Sequence, residues 1–95
     1  MITKAFTIYD NKTLAYLPPF FSQTTASAVR MFTDTCSAPD NQFARHSSDY
    51  VLYEIGTYDD SNGSFSSLDP HVNLGLAADF LPETPQSTLF PEPSE

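Results

Sequence analysis

Ninety-five residues are enough for one domain, of which 40% are hydrophobic and which includes eight Phe and five Tyr. A chain of this size buries only roughly 60–65% of the surface its unfolded form exposes, so its core is modest and leans on large aromatic rings. The net charge of −8 repels phosphate backbones and anionic membranes at long range.

That charge is uneven. Residues 1–58 set Lys4, Lys12, Arg30 and Arg45 against Asp10, Asp34, Asp40, Asp49 and Glu54, a balance of −1. Residues 59–95 carry Asp59, Asp60, Asp69, Asp79, Glu83, Glu92 and Glu95 without a Lys or Arg, a balance of −7. A nucleic-acid contact therefore has to use the near-neutral first part, or a basic partner has to neutralise the second. The single cysteine, Cys36, cannot form an internal disulfide, and a secreted domain this small is usually stapled. Met1–Asp10 alternates polar and apolar residues and offers no signal-peptide core. No run approaches the roughly 20 apolar residues of a membrane span. The expected compartment is the cytosol of the producing cell, with no membrane partner.

In chain order, Ile2, Phe6 and Ile8 share one face of a period-two pattern that Lys4 interrupts, and Thr3, Ala5, Thr7 and Tyr9 share the other. This predicts a strand. Asp10-Asn11-Lys12 reads as a turn, and Thr13–Leu17 as a short return strand that Pro18-Pro19 stops by removing two amide donors. From Gln23 or Thr24 to about Cys36, the residues Ala28, Val29, Phe32 and Cys36 recur at helical spacing, with Ser22 or Thr24 able to cap the start and Pro39 beyond the end. Tyr50–Tyr58 predicts the strongest strand. Plain alternation puts Val51, Tyr53 and Ile55 on one face and Tyr50, Leu52 and Tyr58 on the other. Asp59–Gly63 is a turn signal, Ser64–Leu68 a returning strand, and Val72–Leu81 a last short helix carrying Leu74, Ala77, Ala78 and Leu81.

The fold class is therefore α+β: a small antiparallel sheet of about 3–4 strands packed on one main helix, followed by a short C-terminal helix. The domain is expected over residues 1–81. Residues 82–95, with Pro82, Pro85, Pro91 and Pro93 beside three glutamates, form a proline-rich acidic tail too polar to offset ordering. Leu89 and Phe90, followed by Glu92, look there like a short docking segment for a basic surface.

Catalytic chemistry finds no constellation. With Tyr58 as position one, Asp60, Asn62, Gly63 and Asp69 fall on positions of a calcium loop, but position one has to be a carboxylate and a hairpin turn explains the same residues. His46 and His71 have no metal-ligand spacing to each other or to Cys36. Cys36 at a helix end sits where the macrodipole disfavours a thiolate. The serines lie in no nucleophile elbow, and three glycines make no phosphate loop. The chain is expected to be no enzyme and to need no metal or cofactor. Tyr and Phe on an open sheet face could stack unpaired bases, with Lys4, Lys12, Arg30 and Arg45 as candidate phosphate contacts, although such binders are normally basic.

Pro19-Phe20-Phe21, Ala28-Val29-Arg30-Met31-Phe32 with Asp34, His46-Ser47-Ser48-Asp49-Tyr50-Val51-Leu52-Tyr53-Glu54-Ile55-Gly56, then Tyr58-Asp59-Asp60 and Gly63 follow in an order and spacing that resembles the small non-structural protein of gokushovirus-type microviruses, phages with circular single-stranded DNA. The similarity covers about residues 1–81, and Ser47 and Tyr50 stand where that family often has proline and phenylalanine. The resemblance implies a non-enzymatic accessory protein in the cytoplasm of an infected bacterium, acting in genome replication or the switch to packaging. Its partner is single-stranded DNA or a phage replication or capsid protein. An acidic adaptor or DNA mimic that binds a basic host or phage protein is the alternative that the charge suggests. Open strand edges and aromatic content make a homodimer reasonable.

Overall fold

The computed structural model describes residues 1–81. Five strands form one antiparallel sheet: β1 (Ile2–Asp10), β2 (Ala15–Tyr16), β3 (Phe20–Ser22), β4 (Tyr50–Asp59) and β5 (Ser64–Leu76). Helix α1 (Thr25–Ser37) and the short α2 (Gln42–Arg45) lie between β3 and β4, and a 3-10 turn, Ala77–Phe80, follows β5. The order β2-β1-β4-β5 has β3 also on the outer edge of β1. The architecture is the expected α+β, with five strands rather than three or four. The additional pairing comes from Phe20–Ser22, which returns after Pro18-Pro19 to pair Phe6 with Phe20, Ala5 with Phe21 and Lys4 with Ser22.

Helix α1 forms where its apolar spacing places it. The Thr24 hydroxyl accepts from the Ser27 amide at 3.0 Å, satisfying one of the amides that the first turn leaves unpaired. Ala28, Phe32 and Cys36 face Phe6, Ile8, Tyr50 and Leu52, closing a core to which Ala77 is added. Phe32 is the hub of its rings, edge-on to Phe43 of α2 and to Phe80 of the 3-10 turn, each at 5.4 Å. Lys4 interrupts the buried face of β1 for a reason. Its ammonium lies 3.2 Å from the Thr25 hydroxyl and 3.6 Å from the Glu54 carboxylate, and Thr25 donates to Glu54 at 2.8 Å. This polar triad ties the start of α1 to two strands.

Two expectations need correction, and both misread extended chain. The predicted helix Val72–Leu81 is strand as far as Leu76, and only Ala77–Phe80 coils, as a 3-10 turn. Strand β5 continues past Leu68 because its partner is long enough to hold it: Glu54 pairs with Val72, Tyr53 with Asn73 and Leu52 with Gly75. The residues Leu68–His71 bulge opposite Ile55, and Leu74 bulges again between Asn73 and Gly75. The faces of β4 also differ from plain alternation. Against β1, Glu54 pairs with Phe6 and Gly56 with Ala5, leaving Ile55 as an extra residue. One extra residue reverses every later side chain. Tyr58 therefore joins Val51 and Tyr53 on the face away from α1.

Candidate functional site

Strand pairing and the Ile55 bulge give the sheet two unlike faces. One is covered by α1 and α2. Among the described residues the other has no helix over it and carries aromatic side chains from all five strands. Near one end, Tyr9, Tyr16, Tyr53 and His71 come together from β1, β2, β4 and β5, with Tyr16 in the middle. Its ring centroid lies 4.8 Å from that of Tyr9, 6.3 Å from Tyr53 and 6.1 Å from His71. Tyr53 and His71 are 6.3 Å apart. Steep interplanar angles of 54° to 82° make these tilted and edge-on contacts, the arrangement that ring quadrupoles favour. Toward the other end, Phe21 stands 5.8 Å from Tyr58, and Phe65, cross-strand partner of Tyr58, leans over Gly56.

These rings are accessible. Tyr16 is 53% exposed, and Phe21 and Phe65 are each 45% exposed. The small residues under them are sealed: Ala5 is fully buried, and buried Thr7 donates its hydroxyl to the Leu17 carbonyl at 2.7 Å. Among the described residues the face is thus a layer of exposed rings on a closed floor.

None of the four cations lies on it. Lys4 points to the helix side in the triad with Thr25 and Glu54. Arg30 is exposed on α1, and Arg45 on α2 donates to Asp40 at 2.7 Å. Lys12, in the turn after β1, lines a shallow cleft with Asp10, His46, Asp49 and Tyr50. In that cleft, amide hydrogen bonds from Lys12 and Thr13 lower the Asp10 pKa, with His46 adding to the effect. Burial, with Asp10 and Asp49 nearby, raises that of Tyr50. The candidate phosphate contacts therefore have separate surroundings and meet no ring of the open face. The docking segment Leu89, Phe90 and Glu92 lies outside the described residues.

The turn read against a calcium loop is occupied with its own backbone. Asp59 accepts from the Ser61 amide at 3.0 Å and its hydroxyl at 2.6 Å, and its carbonyl takes the Gly63 amide at 2.8 Å. Gly63 adopts φ +74°, which a glycine reaches without strain. Among the described residues no three His, Cys, Asp or Glu side chains gather as a metal would require. Cys36 is buried, and that burial raises its thiol pKa. No helix of the described residues is long and apolar enough to cross a membrane.

The sequence allowed rings on a sheet face but did not show which. Tyr9 was legible by alternation and Tyr53 by its grouping with Val51. Tyr16 and His71 were not, because only the pairing of four strands brings them together. Tyr58 lies on the face opposite to the one plain alternation predicts, because the bulge at Ile55 intervenes.

The stretch of chain that builds this sheet and its helices matches a known family. The model of the family described as Phage ORF5 protein matches residues 3–80, from β1 to the end of the 3-10 turn, and the chain belongs to that family. Comparison with curated proteins and with solved structures yields no match.

Proposed function

We propose that this phage protein is a non-enzymatic accessory factor in replication of a single-stranded DNA genome or the switch to packaging, and that it acts by binding a basic replication or capsid protein. The replication context rests on the resemblance to gokushovirus-type non-structural proteins and on membership of a phage family. The observation that carries the choice of a protein partner is the open aromatic face with no Lys or Arg on it, in a chain of net charge −8. Surfaces rich in Tyr and Phe supply large contact area at little cost in side-chain entropy, and an acidic surround draws basic partners.

A second reading is supported by the same rings. Tyr16, Tyr53, Phe21 and Phe65 could stack unpaired bases, each stacked base contributing about 1–3 kcal/mol. Phosphate contact would then fall to cations on other surfaces, against a repulsive net field.

Titration calorimetry of the full chain against the phage's purified replication initiator, its capsid protein and a fifteen-residue oligothymidylate separates the readings. Saturable binding to one of the proteins at about 0.15 M salt, with no heat from the oligonucleotide, supports the first. Oligonucleotide binding that weakens with salt, and no protein binding, replaces it with the second.

A further inference from the structure

We infer that the cluster of Tyr9, Tyr16, Tyr53 and His71 is an arginine-receiving site, the point at which a guanidinium group of the basic partner seats; this rests on the protein-partner reading. The first observation is geometric. Tyr16 touches all three of the other rings and is still 53% exposed. Its ring is held by neighbours instead of rotating freely, so a ligand stacking on it loses little further side-chain entropy. The second is electrostatic. β2, β4 and β5 contain no Lys or Arg, and the one such residue of β1, Lys4, is paired on the opposite side with Glu54. A cation arriving at this cluster therefore meets ring quadrupoles with no strand Lys or Arg competing for them, in a chain of net charge −8.

Arginine is favoured over lysine by its shape. A planar, weakly hydrated guanidinium stacks flat on a phenol ring and keeps its edge N–H groups for carboxylates or water, whereas a compact ammonium keeps its hydration shell.

The test uses the full chain with octa-arginine and octa-lysine as probes at about 0.15 M salt, read by calorimetry, with Tyr16→Leu and Tyr16→Phe as variants. Near-ultraviolet circular dichroism checks that both remain folded. Octa-arginine is expected to bind more tightly than octa-lysine, and Tyr16→Leu to weaken octa-arginine about 3- to 30-fold. Tyr16→Phe, which keeps the ring, retains most of the affinity. Equal octa-arginine affinity for wild type and Tyr16→Leu overturns the inference, assigning the attraction to carboxylates alone. Oligothymidylate binding that Tyr16→Leu abolishes also overturns it, since the rings then read bases. If Tyr16→Leu binds the initiator or capsid protein as wild type does, the site is wrong while the proposed function stands.

Discussion

Phe65 lies over Gly56, and the contact leaves no room for a side chain: a Cβ at position 56 would clash with the Ser66 carbonyl oxygen and sit 2.9 Å from the Phe65 ring. Gly56 directly follows the Ile55 bulge that moves Tyr58 to the open face. The glycine, the bulge and the covering ring together set the geometry of that half of the face.

Gly56→Ala is accordingly expected to destabilise the fold by at least about 2 kcal/mol, because the clash is with backbone and not with a flexible side-chain end. Urea unfolding followed by circular dichroism measures it. Phe65→Ala, which loses a half-exposed ring, is expected to cost less than Gly56→Ala.

Helix α1 depends on its cap. Removing the Thr24 hydroxyl, which holds the Ser27 amide at 3.0 Å, is expected to cost about 1 kcal/mol in Thr24→Ala, and Thr24→Ser to restore most of it. The same unfolding measurement decides, with the wild-type denaturant slope expected in both variants.

Stability is expected to fall at both ends of the pH scale, for opposite reasons. Burial raises the pKa of Tyr50 in the folded state, so its contribution is complete below the unfolded value near 10 and is lost as pH rises through the folded one. Hydrogen bonds lower the pKa of Asp10 and Asp59, so theirs is present above about 3.9 and is lost as pH falls through the folded values. Thermal melts across pH should show Tyr50→Phe flattening the alkaline limb alone, and Asp59→Asn flattening the acid limb.

Cys36 is 2% exposed, and burial raises its thiol pKa. A thiol held protonated and out of solvent reacts slowly. Ellman's reagent at neutral pH is expected to titrate it only as fast as the protein opens, and at once in denaturant. Rapid labelling of the folded chain would show that α1 opens where the core is assumed closed.

What the sequence made legible follows from how local each signal is. Ala28, Phe32 and Cys36 repeat at helical spacing, so α1 could be placed within a residue or two. Asp59 to Gly63 makes its turn from its own side chains and one positive φ, so the hairpin was visible too. The stretch from Val72 to Leu81 was ambiguous, since Leu74, Ala77, Ala78 and Leu81 fit helical spacing while Asn73 and Gly75 pair as strand. Pairing with Tyr53 and Leu52 decided it, and that information lies twenty residues away. The aromatic face was hidden for the same reason. Residues 9, 16, 53 and 71 meet only through the register of four strands, and the bulge at Ile55 follows no local pattern.

The central claim, that a ring-bearing face without cations receives a basic protein, is tested most directly by one competition measurement. The chain is mixed with the phage replication initiator or capsid protein at saturating concentration, and octa-arginine is then added. Displacement of the bound protein by octa-arginine, weakened in Tyr16→Leu, is the predicted result. No binding of either protein, or displacement that is absent or equal in wild type and Tyr16→Leu, would contradict the account.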